Sequence, residues 1–252
     1  MFKDKAVLVT GGNSGIGAAA ARIFARQGAR VAVAARRLEA SQAVVEEIRA
    51  AGSEAIAIAA DVAEMDQVQA MVEQIVQTFG RIDVAFNNAG HTGDNTTLVD
   101  CTPEAWDTCF NVNVRGLWLC MKYEIPHMLD QGGGAIVNTS SGLAEFSSPR
   151  MAAYTAAKHA ANGLTISAAL DYAPHNIRVN SIMPGATLTP MLQGLDPKKH
   201  VPLDDMRSKI PLRRIASPEE MAEAAVWLAS DQASYVTGVN LMVDGGLKVK
   251  RW

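Results

Sequence analysis

The stretch that most limits the possible folds is residues 6–28. Ala6-Val7-Leu8-Val9-Thr10 is a short apolar run rich in β-branched residues, and it predicts a buried parallel strand. Thr10-Gly11-Gly12-Asn13-Ser14-Gly15-Ile16-Gly17 follows at once, then a helical pattern from Ala18 to Gln27 that Gly28 ends. Strand, glycine turn and helix together make a phosphate cradle. Glycine lets the backbone approach a pyrophosphate, and a helix N-terminus offers free N–H groups and a positive dipole end. The spacing is G-x-x-x-G-x-G, not the commoner G-x-G-x-x-G. Gly11, Asn13, Ser14, Gly15, Ile16 and Gly17 are the candidate contacts to a dinucleotide.

The pattern then repeats. Strands are expected at 30–35, 55–59, 82–86, 135–139, 177–182 and 238–243. Helices are expected at 38–51, 64–79, 103–128, 151–172 and 218 to about 230. Thr102 and Ser217 suit N-caps, each followed by a proline in the first turn. Such alternation predicts an α/β, Rossmann-like, doubly wound parallel sheet of about seven strands, with helices on both faces and ligands at the carboxyl ends of the strands. No repeats or low-complexity linkers break the chain, so residues 1–252 are expected to form a single domain.

Composition excludes several classes. Hydrophobic residues make up 48% and charged residues 19%, with net charge −3, which leaves no basic footprint for nucleic acid. No apolar run is long enough to span a bilayer, and the first apolar run is too short for a signal peptide. Cys101, Cys109 and Cys120 are odd in number, form no CxxC pattern and have no histidine at metal-ligand spacing. They read as reduced thiols of a cytoplasmic protein without a metal.

Several positions at strand ends carry chemistry. The second strand ends in Ala35-Arg36-Arg37, with no acid before Glu39. A carboxylate there would bind a ribose 2′-OH, whereas arginine accommodates a 2′-phosphate, so the pair favours NADP(H) over NAD(H). Tyr154 and Lys158 are four apart, on one face of the expected helix. An ammonium beside a phenol lowers the phenol's pKa and makes it a usable proton donor or acceptor. Ser141, thirteen residues before Tyr154, lies at a strand end where its hydroxyl can hold a substrate oxygen. No histidine stands in a triad relation to it, which weighs against a serine hydrolase. Asn113 is a local conflict inside a helical run, of the kind that often marks function.

Taken together, Thr10-Gly11-x-x-x-Gly15-Ile16-Gly17, Asp61-Val62, Asn88-Ala89-Gly90, Asn113, Ser141, Tyr154-x-x-x-Lys158 and Pro184-Gly185 resemble the short-chain dehydrogenase/reductase family, in its order and spacing over nearly the whole chain. The resemblance implies a nicotinamide cofactor, with Asp61 and Val62 near the adenine and Asn88, Ala89 and Gly90 supporting the cofactor and central strand. Pro184 and Gly185 would lie beside the nicotinamide, with Thr187 and Thr189 bonding to it or to phosphate. It also implies that Tyr154 exchanges a proton with the substrate oxygen and Ser141 orients it. Lys158 would tune Tyr154 and hold the ribose. Asn113 would kink its helix, its main-chain carbonyl holding a water beside Lys158. A homotetramer, or a homodimer, built on the helices around Asn113 and Tyr154 is implied as well.

The substrate is less constrained. His91, Leu143, Glu145, Phe146, Met151, Leu188, Met191 and Leu192 are the candidate pocket residues, under a lid at about 187–214. Their apolar majority favours a hydrophobic ketone, with the corresponding alcohol as partner; Glu145 either binds a polar group or faces solvent. The alternatives are an NAD-dependent alcohol or sugar dehydrogenase, and a 3-oxoacyl-thioester reductase using Arg150, Lys198, Lys199, Arg213 and Arg214 to approach a carrier. A non-catalytic cofactor-binding protein on the same fold would be expected to lack Tyr154 or Lys158, and both are present.

Overall fold

The computed structural model describes residues 1–194 and 202–250. Seven strands, β1 (Ala6–Thr10), β2 (Arg30–Ala35), β3 (Ala55–Ala59), β4 (Val84–Asn87), β5 (Gly134–Thr139), β6 (Ile177–Pro184) and β7 (Asn240–Val243), form one sheet in the order β3-β2-β1-β4-β5-β6-β7. Every neighbouring pair is parallel. The order turns back between β1 and β4, because β1 sits beside both β2 and β4. That is the point where an open parallel sheet leaves a crevice outside its carboxyl ends.

Helices cover both faces, as the near-continuous apolar strands require. On one face α1 (Gly15–Arg26), α2 (Leu38–Ala50) and α9 (Pro218–Ala229) bury Ile23, Phe24, Val44 and Val226 against Val7, Val9 and Val31. On the other, α3 (Met65–Phe79), α5 (Leu117–Asp130) and α6 (Ala152–Tyr172) bury Met71, Ile75, Leu119 and Met128 against Leu8 and Ile136. Thr102 caps α4 (Pro103–Phe110) by accepting the Ala105 N–H at 3.2 Å, and Glu220 reaches back to the Ser217 N–H at 2.9 Å at the start of α9.

Two expectations change. The single helix over 103–128 is two, α4 and α5, joined by a π-helical segment at Asn111–Gly116. The irregular stretch before α9 contains two short helices, α7 (Pro190–Gln193) and α8 (Leu203–Lys209). Part of the expected lid, including Lys198 and Lys199, and the terminal Trp252 lie outside the described residues.

Candidate active site

A cleft of about 1280 Å³ opens along the carboxyl ends of the strands. At one end it is walled by the glycine turn. Gly11 has φ 61°, the left-handed region that glycine occupies freely. A Cβ at Gly17 would overlap the Gly11 carbonyl oxygen and lie 2.6 Å from Asn88 Nδ2. Ser14, at the N-cap of α1, makes no side-chain cap bond, and no acid occupies the first turn. The turn therefore presents free N–H groups and no negative charge, a donor set that fits a pyrophosphate. Gly17 itself does not line the cleft, whereas Gly11, Asn13, Ser14, Gly15 and Ile16 do. Its place is behind the cradle, where it lets α1 approach the turn.

Arg36, Arg37, Asp61 and Val62 line the same end. Both arginine side chains are exposed, and neither guanidinium is engaged by a described residue. Asn88 ties the strand ends together. Its side chain donates to Thr10 O at 3.2 Å and Gly11 O at 3.3 Å, while Thr10 Oγ1 accepts the N–H groups of Asn88 and Ala89.

The candidate reactive groups also line the cleft. Lys158, on α6, is buried and donates from Nζ to Thr139 O at 2.8 Å. That ammonium lies 5.6 Å from the centre of the Tyr154 ring. Ser140 and Ser141 part company here. The Ser140 hydroxyl donates to the Lys158 main-chain oxygen, while the Ser141 hydroxyl accepts the Leu143 N–H and lines the cleft together with Tyr154.

The expected lowering of the Tyr154 pKa is overturned. Burial pushes the phenol up to about 12, with the Ser141 hydrogen bond opposing, and pushes the Lys158 ammonium down to about 8. The ammonium donates to Thr139 O and stands 5.6 Å from the ring centre, and burial is the largest influence on the phenol.

Asn113 is buried and does not line the cleft. Its side chain clamps the backbone of His91, donating to His91 O at 2.7 Å and accepting His91 N–H at 3.2 Å; it also donates to Cys109 O at 2.9 Å. It falls within the π segment, where the resemblance implies a kink. Ala89 and Gly90 line the cleft, and a Cβ on Gly90 would sit 3.3 Å from Asn113 Oδ1 and 3.6 Å from Lys158 Nζ.

Pro184, Gly185, Thr187 and Thr189 form the facing wall. His91, Leu143, Glu145, Phe146, Met151, Met191 and Leu192 surround the far end. Leu188 does not: it is 44% exposed, because its N–H pairs with Ala216 O and this pairing turns the side chain outward. Glu145 is held by Lys248 at 2.9 Å. The sequence reading missed Lys248, along with Met206, Lys209, Ile210 and Leu247, which α8 and the chain after β7 bring to the cleft. Among the described residues, no cluster of His, Cys, Asp or Glu could hold a metal ion, and no helix is long and apolar enough to cross a membrane. The three cysteines are free thiols.

A parallel sheet with a pyrophosphate cradle at its switch point, and a Ser–Tyr–Lys cluster beside it, defines a dinucleotide-dependent oxidoreductase. Residues 11–248 match the family described as enoyl-(acyl carrier protein) reductase. The chain is 41% identical over 249 residues to the cyclohexanol dehydrogenase of Acinetobacter sp. (strain SE19), covering 99% of this chain and 97% of that one. Its fold superposes on levodione reductase with TM-score 0.95, at 36% identity and full coverage of both chains. It superposes on the 3-ketoacyl-(acyl-carrier-protein) reductase of Brucella melitensis, solved with NADH, with TM-score 0.90 at 36% identity, covering 98% of this chain and 99% of that one. The chain belongs to the short-chain dehydrogenase/reductase family, and is an enzyme acting on CH–OH or C=O groups with a nicotinamide cofactor.

Proposed function

We propose that the chain is an NADP(H)-dependent reductase of a hydrophobic ketone, with Ser141, Tyr154 and Lys158 at the reacting atoms and Asn113 as the residue that fixes their surroundings. The observation that carries this reading is the meeting of Ser141, Tyr154 and Lys158 in one cleft, between the cradle and an apolar pocket, with the Lys158 ammonium 5.6 Å from the Tyr154 ring centre. When bound, the nicotinamide supplies the hydride. Ser141 donates a hydrogen bond to the substrate carbonyl oxygen and orients it. Tyr154, kept protonated by burial, then gives its proton to that oxygen as negative charge develops there. Lys158 stabilises the phenolate left behind, and its charge becomes more favourable once the phenol is anionic. Asn113 holds the His91 backbone so that Gly90 and Lys158 keep their spacing.

The NADP(H) preference rests on Arg36 and Arg37, two guanidiniums that follow β2 with no described partner, in a stretch with no acid before Glu39. The expected result is a kcat/KM at least about 10-fold higher with NADPH than with NADH, and loss of most of that preference in Arg36→Ala/Arg37→Ala, since a desolvated charge-assisted contact is worth about 1.5–3 kcal/mol. A wild-type preference for NADH would overturn it.

The pocket is lined by Leu143, Phe146, Met151, Met191 and Leu192, and among the described residues around it Glu145, Lys248 and Lys209 are the charged ones, the first two paired. This supports a hydrophobic ketone over a free sugar. A panel of cyclic and aromatic ketones, sugars and acyl thioesters, followed by loss of NADPH absorbance, tests the assignment. The acyl-thioester reading needs a cationic approach, yet Arg214 is held by Glu220 through two bonds of 2.6 Å and Arg213 donates to Ser208 O. A homotetrameric, cytoplasmic enzyme is part of the same proposal.

A further inference from the structure

The most unusual buried group lies beneath the site. Glu124, on α5, is fully buried. Its Oε2 accepts from Asn87 Nδ2 at 3.0 Å. The second hydrogen of that amide goes to Asn138 Oδ1 at 3.3 Å. Asn138 Nδ2 donates in turn to Thr165 Oγ1 at 3.0 Å and to Met121 Sδ at 3.5 Å, and Thr165 donates to Ala161 O at 2.9 Å. Every donor hydrogen of the network is used. Two acceptors are left over, Asn87 Oδ1 and Glu124 Oε1, both buried and without a partner. They belong to the same two side chains that already share one bond. A proton on Glu124 Oε1 supplies the single missing donor, and the matching acceptor is Asn87 Oδ1, as in the two-bond ring that a carboxylic acid forms with a primary amide.

We propose that Glu124 is held as a neutral carboxylic acid paired through both oxygens with the Asn87 amide, and that it is thereby a positioning residue for the strand end that carries Asn88, Ala89 and Gly90. Asn87 is the last residue of β4, directly before the segment lining the cleft. Asn138 precedes Thr139, whose carbonyl takes the Lys158 ammonium. The network therefore braces the two strand ends between which the reactive groups sit.

The surroundings agree with a neutral group. From α5 itself the titratable neighbour is Cys120, one turn earlier, whose thiol burial and Glu124 both keep protonated. From β4, β5 and α6 the facing groups are the uncharged Asn87, Asn138 and Thr165. The buried side chains of α3, which packs on α5, are all apolar. The nearest cation of α6 in the site, Lys158, is directed at Thr139 O. Among the described residues no cation pairs with Glu124. Burial raises its pKa to about 7, with the Asn87 bond opposing.

Because the folded value lies above the unfolded one, the stabilisation from this proton is fully present below the ordinary glutamate range. It is lost as pH rises through about 7. Glu124→Gln puts an N–H where the acid O–H would be and keeps both bonds at every pH. The expected result is that the variant melts close to wild type at pH 5 and at least about 3 °C above it at pH 8.5. Over the same range the wild-type Kd for NADPH is expected to weaken relative to the variant. A melting difference independent of pH overturns the neutral acid, and parallel Kd profiles overturn the positioning role. If Glu124→Gln does not fold, the infrared spectrum of the wild type decides. A protonated-carboxyl band at pH 5.5 that fades by pH 8.5 supports the proposal, and its absence at pH 5.5 overturns it.

Discussion

Tyr154→Phe is expected to lower kcat for ketone reduction by about 10²–10⁴-fold while leaving the Kd for NADPH within about two-fold of wild type. The hydroxyl is removed, and the ring that stands beneath the Lys158 ammonium stays. Phenylalanine fills the same space, so the pocket and the cradle keep their shape. Binding measured by fluorescence and turnover measured by absorbance separate the two effects. Substantial retained turnover would remove Tyr154 from the role of proton donor. The mirror-image experiment is Tyr154 with Lys158→Met. There kcat and cofactor affinity are expected to fall together, because the buried ammonium stands beside Gly90 and Thr139 as well as the phenol.

The second large effect is expected from Gly17→Ala. The added Cβ would meet the Gly11 carbonyl oxygen and Asn88 Nδ2, and Asn88 is the side chain that ties the turn to β4. The first neighbour is backbone, and the second is a side-chain amide held by hydrogen bonds to Thr10 O and Gly11 O. Inserting a methyl group into such a contact costs about 1–3 kcal/mol, which for a chain of this size lowers Tm by roughly 2–12 °C. The Kd for NADPH is expected to rise at least about 10-fold, since the turn must move. Gly163→Ala is the control. Gly163 lies inside α6 with nothing near an added Cβ, and replacing a helical glycine there is expected to raise stability by about 0.5–1 kcal/mol. Equal effects of the two substitutions would show that the close packing of α1 on the turn is not what holds the cradle.

The alternation of strands and helices was readable because parallel strands buried on both faces must be apolar throughout, and their helices cannot be. The grouping of the proposed reactive residues was readable because their spacing is local: Tyr154 and Lys158 share one helix, and Ser141 follows β5 by two residues. What could not be read was tertiary. Lys248 pairs with Glu145 across more than a hundred residues of sequence. Leu188 has the right chemistry for the pocket and the wrong backbone, because pairing at Ala216 turns it to solvent. Charge proximity suggested a lowered Tyr154 pKa, whereas the depth that raises it belongs to the folded chain alone. Glu124 looks like an ordinary polar residue on a helix, and only the complete set of hydrogen bonds reveals a buried acid.

The π-helical segment at Asn111–Gly116 has a consequence for how this chain can vary. Such a segment holds one residue more than an α-helical path of the same rise, and each residue carries about 100° of rotation. It therefore opens a wide turn at Asn113, which meets His91 together with the upstream Cys109, ahead of the helix whose Glu124 meets Asn87. Removing one residue from the segment would barely change composition or helix propensity. It would close the wide turn into an α-helical one, leaving the flanking helices near their present phase and moving Asn113, which lies in that turn, off His91. Around Asn113 the residue identities in this stretch are less constrained than its length, which sets where that one side chain lands.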